Sequence, residues 1–486
     1  MNRNRRDLLK SGTAALFGSG FFSRMDRVDG IQKSSPTPAL TDFLNSRATG
    51  KSEALLVARQ AGEEGPPEPA KYDRLPLEWN KQAVARFKAK LAEKDIHAFV
   101  LRDQLNIIYL TGYWHTKTER PQAVFMNQDD PDPWYLYPGL DRDLVKGWWY
   151  GGGWLYFDTK HAEGGFPEEG KVVQGKPVDL WEFLLQGIKK KGVLGKRIGI
   201  DGKMYPDDLK KAQKILPGIH WVDVGDTLLG MREVKTPEEL ALTRRAYVYF
   251  DRAHAYARDY VLTFGTDVTD YEVGMAATLW INSLLYADLD LADGAPHHGV
   301  GAGVEVDCRV GPLCAYPHPN QPRFNRIQRN MPMQIEGDAH VGGHGGENYR
   351  MFILADRNGQ FDAHMQKLWE VSQRTCDMQV ELQKEGTVCS EIAYQIHKYQ
   401  VAQGMQDYIY HRPAHGEGSE GHQPPYLALG DDTVLRKGMT FSEEPGLYDP
   451  KERVGFNWSD CVVTGEKSGF RMSRVPYSKE WCWIKI

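Results

Sequence analysis

The sequence predicts an α+β protein of two folded domains, an α/β unit over residues 73–232 and a second, strand-and-helix unit over 233–486. Three observations carry this. From Trp79 onward, helical spacing of apolar residues alternates with short strand-like runs, the pattern of a mixed α/β domain. The stretch "KTPEELALTRRA" then holds a complete helix start. Thr236 can act as N-cap, Pro237 takes the first helical position and Glu239 completes a capping box, which puts a boundary near 232. Beyond it the chain reads as helical to about 286, strand- and loop-rich over 295–357, helical over 362–404 and strand-rich to the end. Two strand-rich blocks around a helical pair suggest an internal duplication, or a sheet with helices packed on one side.

In chain order, the first element is "NRRDLLKSGTAALFGSGFF", with Arg5-Arg6, then Leu8, Leu9 and Lys10, then small and apolar residues. Residues 1–25 resemble a twin-arginine export signal, which implies a periplasmic or secreted protein. Residues 26–72 are rich in Pro, Ser, Gly and Glu and read as a linker with at most one short helix. "WNKQAVARFKAKLAEK" has helical spacing. "HAFVLRD" and "NIIYLTGY" read as strands closed by a Gly turn, and "AVFM", "WYLY", "KRIGIDG" and "IHWVDVG" continue the alternation. "KGWWYGGGWLYFD" reads as a β-hairpin with core aromatics, or alternatively as an aromatic wall beside a substrate cleft.

Composition narrows the function classes. At 41% hydrophobic and 26% charged residues the chain fits a globular protein rather than a disordered one. A net charge of −5 gives no electrostatic reason to expect nucleic acid. Past the export-like segment no apolar run approaches a membrane span. Six cysteines without a CxxC indicate neither a zinc ribbon nor a disulfide framework.

The chemistry concentrates in "MPMQIEGDAHVGGHGGENYRMFIL". Met333, Ile335, Gly337, Ala339 and Val341 alternate with Gln334, Glu336, Asp338 and His340, the period of a strand with one wet face. That face carries two carboxylates and an imidazole, and Glu347 follows. They could hold a metal, act without one, or face solvent. His340 and His344 read as turn-exposed, and His297 and His298 as loop residues.

Five strings in order resemble one superfamily: creatinase, prolidase, aminopeptidase P and methionine aminopeptidase, the pita-bread fold. "NIIYLTGY" is similar to the signature of the creatinase-type N-terminal domain, and "REVKTPEELALTRRA" to the interdomain helix. "GPLCAYPHPNQP" resembles the segment with the first active-site histidine, here His318. "HRPAHGEGSEGHQPP" resembles the segment with two histidines, here His415 and His422, and "LRKGMTFSEEPGLYDP" the segment with a glutamate before Pro-Gly, here Glu444.

The resemblance implies a creatinase-like N-terminal α/β domain, a C-terminal pita-bread catalytic domain and a homodimer. In peptidases of this family two metal ions sit on five ligands, the first two being aspartates eleven residues apart. Here that pair falls on Glu336 and Glu347; His415 and Glu444 match; and the last ligand position, normally glutamate, is Ser459. The glutamate that follows the second histidine becomes Gln423. Asp460 is adjacent to Ser459 but on a strand would point the other way. The implied centre therefore holds one divalent metal (Mn, Fe or Zn) on Glu336, Glu347, His415 and Glu444, with Asp338 as a replacement ligand. His318, His422 and Glu444 are the implied catalytic residues, and the substrate a dipeptide or another small amide or C–N compound. Two alternatives stay open: a metal-free C–N hydrolase or lyase on the same fold, and a non-catalytic binding module.

Overall fold

The computed structural model describes residues 50–57, 64–289, 299–319 and 324–486. The export-like segment and the His297-His298 pair lie outside the described residues, as does most of the linker; within it a short 3₁₀ turn spans Ser52–Leu55.

The N-terminal part is built on one six-stranded sheet of order β4-β3-β2-β1-β5-β6. Its strands are β1 (Ala98–Leu101), β2 (Ala123–Asn127), β3 (Trp134–Pro138), β4 (Gly152–Tyr156), β5 (Arg197–Ile200) and β6 (His220–Asp223). Helix α1 (Leu77–Ala92) buries Trp79, Ala83, Val84, Phe87 and Leu91, the i, i+4, i+8 stripe that its sequence spacing predicts.

The string "NIIYLTGY" corrects the sequence reading. Instead of a strand it forms helix α2 (Gln104–Thr111). The Asp103 carboxylate accepts from Leu105 N and Asn106 N, capping the first turn, and burial rather than periodicity explains a helix so apolar. Gly112 ends it at φ 69°, where an added Cβ would fall 2.7 Å from Asn80 Oδ1, so glycine is required on two counts. A second correction concerns "KGWWYGGGWLYFD": β4 pairs with β3 in parallel, so no hairpin forms. Of its aromatics, Trp149 is buried and bonded to Asp132 and the Trp148 indole donates to Thr111 O at 2.9 Å, whereas Phe157 is exposed.

Long helix α3 (Pro237–Phe264) starts with the capping box expected at Thr236 and Glu239. The Thr236 hydroxyl also accepts the Trp79 indole N–H at 3.0 Å, tying α1 to the start of α3. Helix α4 (Asp270–Asp288) repeats the device with Thr269 and Glu272. Both pack on a five-stranded sheet containing β7 (Gly303–Val310), β8 (Met331–Val341), β9 (His344–Glu347), β10 (Arg350–Leu354) and, near the end of the chain, Trp483–Ile484. Helices α5 (Ala363–Leu382) and α6 (Cys389–Ala402) follow. A second five-stranded sheet then uses β11 (Ala414–Gly416), β12 (Gln423–Leu427), Thr440–Phe441, Val462–Val463 and Phe470–Arg471. This mixture of helix and sheet is the α+β fold expected. No helix among the described residues is long and apolar enough to cross a membrane.

Candidate active site

Strand β8 sets the site. It pairs antiparallel with β7, placing Asp307 opposite Glu336, Glu305 opposite Asp338 and Arg309 opposite Gln334; β9 then sets Glu347 opposite Asp338. Directly paired residues share a face, so the acidic residues form one surface. Gly337 lies between two of them at φ 151°, and a Cβ there would stand 1.9 Å from Glu305 O, so the tight β7–β8 approach admits only glycine. This surface floors a cavity of about 710 Å³, whose other walls include His318, His411, Arg412, His415, His422, Glu444 and Asn457.

His415 is central. β11 places it, and its ring Nδ1 lies 3.1 Å from Gly416 O, which leaves Nε2 pointing to the cavity. Glu347 Oε1 stands 3.3 Å and Glu444 Oε2 3.0 Å from that nitrogen. Burial alone would lower the His415 pKa, but the two carboxylates outweigh it and raise it to about 10. Glu347 is pushed up, by burial first and by Glu444 next. Burial would raise Glu444 too, but its contacts with His415 hold it down. The His422 ring stacks on His415 with centroids 3.7 Å apart, and burial and then the His415 charge lower its pKa.

The sequence-derived ligands divide into two groups. Glu347, His415 and His422 offer ligand atoms within 4.8 Å of one another, and Glu444 touches His415. Glu336 lies on the same floor but is held by Arg309 Nη2 at 2.8 Å and by Gln334 Nε2 at 2.6 Å. Asp338 is exposed, 3.3 Å from His340 Nδ1. His318 is exposed at the cavity wall. His340 and His344, read as turn-exposed, instead stand half-buried on β8 and β9.

Ser459 sits opposite Tyr349 in an antiparallel bridge, and its Oγ is buried with no hydrogen-bond partner among the described residues. Asp460 points away, as strand alternation requires, and meets Arg350 at 2.9 Å with neither side chain exposed. Arg350 also bonds Ser459 O at 3.0 Å, fixing the strand beside the site.

Sequence reasoning missed Arg309, Tyr349 and His411. Tyr349 follows Glu347 by two residues, so strand alternation could have found it; its hydroxyl donates to Glu347 Oε2. Arg309 required the β7–β8 register, which no local pattern gives. Glu417, two residues past His415, is buried and does not line the cavity; burial, then the Glu347 charge, raise its pKa to about 8.

The donor set fits a divalent cation: the carboxylate oxygens of Glu347 and Glu444 and the imidazole nitrogen of His415 converge on one another at the cavity wall.

Known proteins share this chain's family and fold. Residues 84–234 match the model of the Creatinase/Prolidase N-terminal domain and residues 242–466 that of Metallopeptidase family M24. A Lactobacillus delbrueckii subsp. lactis protein named Xaa-Pro dipeptidase is 25% identical over 383 residues, spanning 78% of this chain and 93% of its own length. An uncharacterized peptidase of Schizosaccharomyces pombe is 32% identical over 398 residues, 78% of each chain. Among solved structures, the prolidase from Thermococcus sibiricus superposes with a TM-score of 0.65 at 19% identity, covering 83% of this chain and 99% of that one. The chain is a metallopeptidase-like hydrolase of the creatinase/aminopeptidase P superfamily.

Proposed function

We propose that this protein is an exported hydrolase of small peptides, acting on Xaa-Pro dipeptides or a closely related amide, with one divalent cation in the cavity. The observation that carries the reading is the convergence of Glu347 Oε1 and Glu444 Oε2 on His415 Nε2, at 3.3 and 3.0 Å, on the wall of a cavity of about 710 Å³. Glu347, His415 and Glu444 would hold the cation, with His422 adjacent. A divalent cation bound there supplies Lewis-acid polarisation of a carbonyl or water oxygen. The chain's own groups do the rest. His422 packs against the centre and His318 stands at the exposed wall, so each can pass a proton to the departing amine. The carboxylates of Glu305, Asp307 and Asp338 line the same cavity and offer acceptors to a substrate ammonium group. Export is supported by the Arg5-Arg6 segment, and dimerisation by the superfamily resemblance alone.

The seating of the His415 imidazole between the Glu347 and Glu444 carboxylates also favours a second reading, a metal-free C–N hydrolase in which an imidazolium takes the place of the cation. One experiment separates them. Protein purified without added metal is assayed on a panel of Xaa-Pro dipeptides before and after chelation, with Mn²⁺ restored. The cation reading requires turnover that falls with chelator, returns with Mn²⁺ and is lost in Glu444→Gln. Turnover indifferent to chelator would sink it and leave the metal-free reading.

A further inference from the structure

We propose that the chain is built to hold a single cation because two of its own side chains occupy the place of a second. This rests on the metal-binding part of the proposed function. The Arg309 guanidinium is 3% exposed and lies 2.8 Å from Glu336. Its remaining hydrogen bonds go to Gln334 Oε1 at 3.1 Å and to the carbonyls of Tyr316 and Pro317 at 3.2 Å. A guanidinium does not deprotonate in a protein, so Glu336 already has a permanent positive partner. A divalent ion on Glu336 would have to displace that partner and leave it buried beside a like charge.

Across the floor, Glu347 directs its two oxygens differently. Oε1 faces His415, whereas Oε2 accepts from the Tyr349 hydroxyl. A carboxylate that bridged two ions would need both oxygens free. Tyr349 pairs across the bridge with Ser459, so the phenol shares a face with the position where the superfamily resemblance implies a glutamate. Arg309 and Tyr349 thus give the two glutamates a cation and a proton donor, and Ser459 supplies no carboxylate.

Arg309 also acts as a positioning residue. Its two bonds to Tyr316 O and Pro317 O hold the loop that carries His318, so the group that satisfies Glu336 also fixes the histidine at the wall.

The test is cation stoichiometry, read by elemental analysis and by the EPR spectrum of Mn²⁺-loaded full-length protein. One Mn²⁺ per chain with an uncoupled spectrum is expected for the natural sequence, and for Ser459→Glu alone, because Arg309 remains. The combined variant Arg309→Ser, Tyr349→Phe, Ser459→Glu should bind two ions with exchange coupling, its fold checked by circular dichroism. Two Mn²⁺ bound by the natural sequence would overturn the inference and the single-cation clause of the proposed function, and leave its metal-dependent peptide hydrolysis standing. None bound would overturn both. The measurement on the natural sequence decides the matter even if the triple variant does not fold.

Discussion

Arg350 and Asp460 meet at 2.9 Å with both side chains wholly buried, and the same guanidinium reaches Ser459 O, Tyr349 O and Val475 O. The pair therefore anchors the back of the site: the segments bearing Ser459 and Tyr349 are pinned to one cation. Removing one partner leaves the other charged and buried. Asp460→Ala should cost about 3–5 kcal/mol in denaturant-induced unfolding. A loss under about 1 kcal/mol would show that the guanidinium finds another partner.

Thr236 performs two functions with one oxygen. It caps α3 through Glu239 N and accepts the Trp79 indole at 3.0 Å. Thr236→Ala should destabilise by about 1 kcal/mol for the cap, with a further ~1 kcal/mol for the lost indole bond. Thr236→Ser should recover most of both. If Ala and Ser behave alike in thermal unfolding, the hydroxyl is not what matters.

Glu239 provides a pH dependence remote from the cavity. It is buried, and burial raises its pKa to about 7 despite its bonds to Thr236. The folded state thus binds this proton more tightly than the unfolded state, whose carboxyl titrates near 4.5. Its contribution is fully present below about 4.5 and is lost as pH rises through 7, because ionisation then opposes burial. Glu239→Gln keeps the box geometry without the charge. Stability measured from pH 5 to 8 should fall less steeply in Glu239→Gln than in the natural sequence; equal slopes would contradict the assignment.

The proposed export rests on Arg5-Arg6. Replacing both by lysine should move the protein from the exported to the cytoplasmic fraction, followed by immunoblot of fractionated cells. Unchanged partition would remove twin-arginine export from the proposal.

Much of this architecture was legible where local chemistry decides it. The start of α3 could be read from Thr236, Pro237 and Glu239 because a capping box needs only residues three apart. The wet face of β8 could be read from simple alternation, and Asp460 could be seen to face away from Ser459 for the same reason. "NIIYLTGY" could not be read correctly, because a short helix that is apolar on its half-buried face as well as its buried one loses its periodicity; the clue was Asp103 just ahead of it. The partnership of Arg309 with Glu336 was also hidden: it spans 27 residues and depends on the antiparallel register of β7 and β8. Motif spacing names positions but not what has been placed against them.

The pairing of Arg309 with Glu336 also constrains how this sequence can change. Losing Arg309 alone strands a carboxylate among other carboxylates, and gaining glutamate at 459 alone adds another negative charge near Glu347 and Glu444. A second cation centre in this cavity would thus call for changes at both positions together rather than at either alone.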